Sequence, residues 1–219
     1  EIMSSDWSSD VCSSDLSYLP DAEQPVDSDA ARDLIRRAHE GETPLYVIAL
    51  GAITNVASAL LLDPSIRRKI VVVWLGGQPH SWPTAMEFNL KQDVYASQIM
   101  FDSGVPLVQI PCAGVAALLN TTLAELDKDL GRDSAICRFL VERFEEYSSD
   151  HFAWGKVIWD IAAVAWILNP DAVPTWVTHS PRLSSDVRWS RDEGRHLIRV
   201  AYEVRRNWVF KDLFTRLRG

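Results

Sequence analysis

Residues 70–77 read IVVVWLGG, and this stretch decides the fold class of the chain. The six apolar residues from Ile70 to Leu75 are typical of a parallel strand that helices cover on both faces. Gly76 and Gly77 end the run. The sequence therefore predicts an α/β sheet in which this strand is buried.

The segments around this strand alternate between helix and strand signals at the spacing of βαβ units. Leu45 to Leu50 and Val105 to Ile110 are predicted as strands on either side of it in the chain. Three strands joined by helices predict a parallel or mixed open sheet with helices on both faces. Helices are predicted at 28–39, 54–62, 93–102, near 121–130, and at 134–149, 157–168 and 207–217, with a further strand at 196–203.

The composition is that of a globular protein with one domain. The chain has 219 residues, of which 47% are apolar and 24% charged, enough to bury a core. The 22 basic residues against 30 acidic ones give a net charge of −8, which argues against nucleic acid or an anionic membrane as a partner. No run approaches the roughly 18 apolar residues of a membrane-spanning helix. Three sparse cysteines without CxxC spacing favour a reducing compartment, so we expect a cytoplasmic protein.

Residues 1–16, EIMSSDWSSDVCSSDL, repeat Ser-Ser-Asp three times and show no periodic apolar face. Two interpretations stay open for this segment. It is a disordered tail, or it is artefactual, because DVCSSDL resembles a translated sequencing adapter. In either case we expect the globular domain to be residues 17–219.

Ligands of open parallel sheets bind outside the carboxyl ends of the strands, which directs the search for a site to the loops there. The loop from Gly76 to Asn89 has 14 residues, far more than a usual βα connection. In an extended loop, Glu87 and Asn89 would project to one side while Phe88 packs on the other. A carboxylate beside an amide suits the hydroxyl groups of a sugar. The alternative is a helix cap, with Asn89 or Asp93 capping the next helix and Glu87 solvated.

A second candidate is Asp160, in the predicted helix 157–168, VIWDIAAVAWIL, which is apolar around its whole circumference. A carboxylate on a buried helix is costly unless it is paired, hydrogen-bonded or bound to a metal. Asp160 is therefore a site candidate. The alternative is a salt bridge to Lys156 or to a distant arginine.

A third segment, Leu50 to Asn55, is a strand-to-helix turn that could offer backbone groups to a ligand, although it is a weak signal alone. Together the three segments resemble the inosine-uridine preferring nucleoside hydrolase family. The matching stretches occur in the family's order and reach from about residue 20 to the C-terminus. They are LGAITNVASALLLDP (50–64), VVVWLGG (71–77), EFNLKQD (87–93), FDSGVPL (101–107) and WDIAAVAWILNP (159–170).

The resemblance implies a nucleoside hydrolase-like fold and a Ca²⁺-dependent cleavage of the N-glycosidic bond of ribonucleosides. Thr54 and Asp160 match family positions that bind calcium, which prefers about six to eight oxygen ligands. Glu87 and Asn89 match residues that hold ribose hydroxyls. The resemblance also implies a small-molecule ribonucleoside as the partner and, by analogy, a homo-oligomer.

Two departures from the family's pattern affect the expected chemistry. The aspartate cluster DxDxxxDD is absent, so we expect the chain to lack the first strand or strands, to bind Ca²⁺ weakly and to turn over poorly. Ser81 stands at a family asparagine position, and Trp159 replaces a histidine that often precedes the helix aspartate. His80, close to Trp82, is then the candidate leaving-group acid or base-stacking residue. Ser81 and Trp82 are expected among the substrate-binding residues.

Two other functions stay open on the residues alone. Cys112 follows the third strand and could be a thiolate nucleophile with His80 or His151 as its base, although a buried cysteine is the more common case. The chain could also be a catalytically dead fragment that binds a sugar weakly.

Overall fold

The computed structural model describes residues 18–219, and its centre is one five-stranded sheet. The strands are β1 (Leu45–Ala49), β2 (Ile70–Leu75), β3 (Leu107–Ile110), β4 (Thr175–His179) and β5 (Leu197–Ala201). They lie in the order β1-β2-β3-β5-β4. The first four strands in this order are parallel, whereas β4 runs antiparallel to β5 at one edge. The predicted mixed sheet is therefore confirmed.

Helices cover both faces of the sheet, as predicted. They are α1 (Asp29–Glu40), α2 (Thr54–Leu62), α3 (Phe88–Gln92), α4 (Val94–Asp102), α5 (Ala135–Glu146), α6 (Ile161–Leu168) and α7 (Arg206–Arg218). On one face, α1, α2 and α4 share a core with Trp74 of β2, and on the other α5, α6 and α7 share one with Val73 and Leu75. Alternate residues of β2 thus serve two cores. None of the helices found in residues 18–219 has the length and apolar character needed to cross a membrane.

Short elements complete the connections. Two-residue strands pair Asn120–Thr121 with Lys156–Val157, and Arg182–Leu183 with Trp189–Ser190. Single turns of 3₁₀ helix are Pro64–Arg68, Ala116–Leu118 and Pro170–Ala172. The helix predicted near 121–130 is irregular, because a three-residue helix, Leu123–Glu125, runs into a π-helical turn at Leu126–Leu130.

Local signals set the limits of the two helices nearest the carboxyl edge of the sheet. α2 begins at Thr54 and ends before Asp63 and Pro64, as predicted, because proline disfavours a helical residue before it. α4 begins at Val94 because the Asp93 side chain accepts a hydrogen bond from the Ala96 amide at 2.9 Å.

The helix predicted at 157–168 is wrong in its first turn. Lys156–Val157 forms a short strand instead, and the Ile158 amide donates to the Leu119 carbonyl at 2.9 Å. These non-local hydrogen bonds occupy backbone groups that a helix would use, so α6 begins only at Ile161.

The expectation that this helix is buried all round is also wrong. Val164 is 41% exposed and Leu168 is 49% exposed. Asp160 is the residue just before α6 rather than one inside it, and its side chain does not cap the helix. The apolar sequence correctly marked a core helix, but it did not reveal where the helix starts.

β4 was not predicted from the sequence, and β3 begins later than predicted. β4 reads TWVTH and lies at the edge of the sheet, where its burial does not alternate and leaves no period of two to detect. β3 begins at Leu107 rather than Val105, because Pro106 has no amide hydrogen to contribute to the strand ladder.

We expect Gly76, just after β2, to tolerate no side chain. A Cβ there would lie 2.4 Å from the Trp74 ring, whereas a Cβ at Gly51 would meet nothing within 4 Å. Gly76→Ala should lower the free energy of unfolding by about 1–3 kcal/mol, the usual cost of overpacking a core. Urea denaturation followed by circular dichroism measures this, with Gly51→Ala as the matched control. Equal stability of the two variants would contradict the close contact.

Candidate active site

Asn89 ties together the carboxyl ends of β1 and β2. Its Nδ2 donates to the Leu75 carbonyl at 2.8 Å and to the Leu50 carbonyl at 3.3 Å. The side chain is buried, and these bonds satisfy carbonyls that would otherwise be left unpaired at the strand ends. The predicted site residue Asn89 therefore lies at the edge of the sheet where ligands of such folds bind.

Glu87 is held by backbone amides from two directions. Its Oε2 accepts from Gly77 at 2.9 Å, from Asn89 at 3.0 Å and from Leu90 at 3.1 Å. The carboxylate therefore caps α3 and also anchors the start of the long loop after β2. Residue Glu87 is only 9% exposed, so it is not the solvated side chain of the capping alternative.

The expectation of an extended loop around Phe88 is wrong. α3 begins at Phe88, and the side chain of Phe88 is 51% exposed instead of packed. Glu87 and Asn89 are nevertheless both buried, because the first turn of the helix directs them away from solvent. The prediction that Glu87 and Asn89 lie on the same side was based on an extended conformation, whereas the structure has a helical turn there.

Asp160 and Cys112 face Glu87 across this edge of the sheet. The Cys112 amide donates to the Gly77 carbonyl at 3.0 Å, so Cys112 and Glu87 bind the same residue. Burial raises the pKa of Asp160, and the negative charge of Glu87 raises it further. Residue Asp160 as a whole is exposed, yet its carboxylate is partly desolvated, and repulsion from the buried Glu87 favours a cation or a proton beside it.

The structure does not show the salt bridge considered for Asp160. Among residues 18–219, no arginine, lysine or histidine forms an ion pair with its carboxylate. The Nζ atom of Lys156 lies 3.1 Å from the centroid of the Tyr147 ring instead. Asp160 therefore carries a charge that no cation of the described part of the chain neutralises.

Cys112 lies in the site but in surroundings that suppress its reactivity. Burial raises the pKa of the Cys112 thiol strongly, and the charge and hydrogen bonding of Glu87 raise it further. A nucleophilic cysteine needs the opposite, a lowered pKa beside a cation or an imidazole. The structure thus gives no support to a thiolate at this position.

Thr54 opens α2 and is held by Asp93. Its Oγ1 donates to Asp93 Oδ2 at 2.7 Å, and the same oxygen accepts from the Leu19 amide at 3.0 Å. Asp93 is buried and also caps α4, so it joins three parts of the chain through one carboxylate. The predicted capping role of Asp93 is thus present, and its hydrogen bond to Thr54 was not predicted from the sequence.

His80 is half-buried in the long loop, with Gln109 of β3 as its partner. His80 Nε2 and Gln109 Oε1 are 2.7 Å apart, and the His80 ring lies 5.0 Å from the ring of Trp189. Burial lowers the pKa of His80, and the charge of Arg191 lowers it too, against the raising effect of the hydrogen bond to Gln109. Ser81 and Trp82 follow on the outside of the loop, where both are exposed.

Gln109 was missed by the sequence analysis although it left a signal. It is the one polar residue in the strand LVQI, and it is fully buried. A buried amide is expensive unless both its donor and its acceptor are paired, so a lone glutamine in an apolar strand marks a specific contact.

No group of three or more His, Cys, Asp or Glu side chains within residues 18–219 is arranged to hold a metal ion. Asp160 is an available carboxylate beside a second negative charge, which fits one corner of a cation site. The two aspartates nearest the start of the described chain are engaged elsewhere. Asp21 accepts from the amides of Glu23 and Gln24, and Asp27 pairs with Arg32.

Comparison with known proteins identifies the family. The sequence model of the family described as inosine-uridine preferring nucleoside hydrolase matches residues 8–211. The chain belongs to this family. The resemblance noted from EFNLKQD and WDIAAVAWILNP is therefore confirmed, and nucleoside hydrolases are in general metal-dependent.

Curated relatives include bacterial enzymes named pyrimidine-specific ribonucleoside hydrolase RihA. The protein from Salmonella typhi is 32% identical over 174 residues, which is 73% of this chain and 55% of that protein. The protein from Escherichia coli O6:H1 is 32% identical over 167 residues, 70% of this chain and 52% of its own length. The chain thus spans about half the length of the curated relatives it matches.

Solved structures share the fold of this nucleoside hydrolase family member. A plant nucleoside hydrolase, PpNRh1, matches with a TM-score of 0.75 at 24% identity, over 89% of this chain and 68% of that one. The inosine-uridine preferring nucleoside hydrolase from Bacillus anthracis matches with a TM-score of 0.72 at 19% identity, over 88% and 66%. At these identities the likeness concerns the arrangement of the sheet and helices alone.

We expect Cys112 to resist alkylation in the native protein. Its buried thiol with a raised pKa should react with iodoacetamide at pH 7.5 at least about 100-fold more slowly than free glutathione, since only the thiolate reacts. Mass spectrometry of the Cys112 peptide measures the rate, and the same protein in urea provides the control. Rapid labelling of native Cys112 would restore the cysteine nucleophile as a candidate.

Proposed function

We propose that this chain is the sugar-binding and metal-binding part of an enzyme that hydrolyses ribonucleosides to ribose and a free base. The observation that carries the proposal is the pair Glu87 and Asn89, both buried at the carboxyl edge of the sheet, with the charge of Glu87 acting on Asp160. Family membership supplies the reaction class. A small-molecule ribonucleoside is accordingly the proposed partner.

The free atoms of Glu87 and Asn89 suit the hydroxyl groups of ribose. Both hydrogens of Asn89 Nδ2 point to backbone carbonyls, which leaves Oδ1 without a donor from residues 18–219. Glu87 Oε1 accepts from the Asn89 amide alone among backbone groups, whereas Oε2 accepts from three. Both side chains therefore offer acceptors, and ribose hydroxyls can donate to them.

The charges at this edge suit the transition state of glycosidic cleavage. Positive charge develops on the ribosyl ring as the bond to the base breaks. The Glu87 carboxylate is already fixed by backbone amides before reaction, and Asp160 adds a second negative charge that interacts with it, so the site favours that positive charge. The same repulsion between the two carboxylates is relieved when a positive centre forms between them.

Calcium is the metal that we propose for the site, with Asp160 and Thr54 among the residues that hold it. A bound calcium ion would lower the pKa of a water molecule and thereby supply the nucleophile. Thr54 and Asp160 provide fewer than the roughly six oxygens that calcium needs, so the remaining ligands would be water, substrate or groups outside residues 18–219. Weak calcium binding by this chain, expected from the sequence, stays a prediction.

A second candidate function is sugar binding without turnover. It is favoured by the lack of a three-residue metal group in the described part of the chain. The ribose acceptors of Glu87 and Asn89 do not depend on that metal, because backbone groups hold both side chains. A homo-oligomer and a cytoplasmic location, both expected from the sequence, stay predictions.

We expect Asp160→Asn to remove metal-dependent hydrolysis while leaving the fold intact. The raised pKa means that the ionised Asp160 destabilises the fold at pH 7, and this destabilisation is lost as the pH falls through the pKa of the folded state toward that of the unfolded chain. Removing the charge should therefore leave the thermal midpoint at pH 7 at or above that of the wild type. Release of base from inosine and uridine in the presence of calcium should fall by at least about 100-fold, toward the rate measured without calcium.

Calorimetric titration with Ca²⁺ completes this test, and exposed Asp171→Asn is the matched control. Calcium should bind the control as it binds the wild type and should bind Asp160→Asn more weakly. An unchanged calcium affinity and unchanged turnover in Asp160→Asn would refute the assignment of this residue.

We expect Asn89→Ala to weaken recognition of the ribose. Its Oδ1 is the free acceptor proposed for a hydroxyl group, so kcat/KM for a ribonucleoside should fall about 5-fold to 150-fold, equivalent to about 1–3 kcal/mol. A 2′-deoxynucleoside should be a poor substrate for the wild type. Equal rates of the wild type on uridine and 2′-deoxyuridine would count against a site that holds ribose hydroxyls.

A further inference from the structure

The starting observation is the pairing of Gln109, a fully buried amide in the middle of β3. Its Nε2 donates to the Gly76 carbonyl at 3.1 Å, and its Oε1 lies 2.7 Å from His80 Nε2. Both ends of the amide therefore contact the long loop that follows β2. A leucine or valine at this place would satisfy the core equally well, so the amide serves the loop and not the packing.

Gln109 also fills the space beneath Gly77. A Cβ at Gly77 would lie 3.0 Å from Gln109 Nε2, and the residue has a φ of +75°, so the loop passes close over the amide in a left-handed turn. The amide of the same Gly77 donates to Glu87 Oε2. Gly77 therefore lies between Gln109 and the carboxylate of Glu87, which is proposed to bind ribose.

The hydrogen bonds of Gln109 fix the tautomer of His80. A carbonyl only accepts, so the Gln109 NH₂ group must face Gly76 and its oxygen must face the histidine. His80 Nε2 must then carry a hydrogen and donate it. In the neutral ring, Nδ1 is left as the acceptor and the Nε2 proton is already engaged.

Aromatic contacts hold the other side of the loop. The His80 ring packs on Trp189, whose Nε1 donates to the Gln78 carbonyl at 3.2 Å. Trp189 in turn meets the edge of Phe101 with ring centroids 5.1 Å apart. The loop is thus clamped at residues 76, 78 and 80 by groups from β3 and the short strand of Trp189.

We infer that Gln109 and His80 are positioning residues that set the place of Glu87 and Asn89 relative to ribose. The inference rests on the proposed function, and it assigns the loop contacts of His80 a role distinct from proton donation to the leaving base. Gln109 determines where the loop leaves the sheet, and His80 keeps the loop pressed against Trp189. The pair acts on the substrate through Gly77 and Glu87.

Four variants test the inference. Gln109→Met removes the amide at similar volume, and His80→Phe keeps the ring on Trp189 while it removes the ring nitrogens. The double variant measures whether the two act as one unit. Gln98→Met is the matched control, because Gln98 Nε2 also donates to one backbone carbonyl, that of Leu183 at 2.9 Å, and makes no hydrogen bond to the loop 76–89. His80→Phe keeps the test decisive if Gln109→Met fails to fold.

Hydrogen exchange of the amides in residues 76–87 is the first measurement, and it needs no activity. Exchange there should speed up by about tenfold or more in Gln109→Met and His80→Phe and should stay unchanged in Gln98→Met. Unchanged exchange in both loop variants would overturn the inference. If the wild type releases no base from any nucleoside, the proposed function fails, while this measurement still decides the role of the pair.

Kinetics provide the second measurement. kcat/KM for uridine and for 4-nitrophenyl β-D-ribofuranoside should fall by the same factor, between about 10-fold and 100-fold, because a misplaced ribose site affects both. The preference for uridine over 2′-deoxyuridine should shrink in both variants. The double variant should lose little more than the worse single variant. The nitrophenolate needs no proton to leave, so a loss in His80→Phe confined to uridine would assign acid catalysis to His80 and overturn the inference.

Discussion

The structure depends on the satisfaction of backbone groups where parallel strands end. At the carboxyl edge of the sheet, backbone carbonyls and amides no longer pair with a neighbouring strand, and helices shield them from water. Each of these groups therefore needs another hydrogen-bond partner. Asn89 bonds to Leu50 and Leu75, Gln109 bonds to Gly76, and Trp74 Nε1 donates to the Gly51 carbonyl at 3.1 Å. Side chains from three elements thus fix the loops that form the candidate site.

Glu87 shows that the stability of the fold and the chemistry of the site share one group. Its carboxylate caps α3 and holds Gly77, and the same carboxylate lies close enough to Asp160 to raise the pKa of that residue. A side chain that backbone amides fix from two sides is rigid, which is what recognition of a sugar hydroxyl requires. The arrangement places two acidic groups where they repel each other. A positively charged ligand bound near them would relieve this repulsion.

The sequence predicted those parts of the fold that local patterns determine. β2 and α2 were placed correctly because an aliphatic run and a helix ended by Asp63-Pro64 need no knowledge of distant residues. The start of α6 was not placed correctly, because the Ile158 amide donates to the Leu119 carbonyl. The spacing of apolar residues along the sequence cannot reveal such a distant partner. For the candidate site, the length of the loop after β2 pointed to Glu87 and Asn89, the apolar segment 157–168 pointed to Asp160, and the roles of these residues stay predictions.

Gln109 was missed because its partners, His80 and Gly76, are about 30 positions away and become neighbours only when β2 and β3 pair.

The contact between Trp74 and Gly76 has a consequence for how this family can vary. The indole ring occupies the volume where a side chain at position 76 would stand, so the two positions share one fixed space. A side chain at position 76 therefore requires a smaller residue at position 74. Among relatives we therefore expect a smaller ring or an aliphatic residue at position 74 wherever position 76 is not glycine. The two positions should then change together.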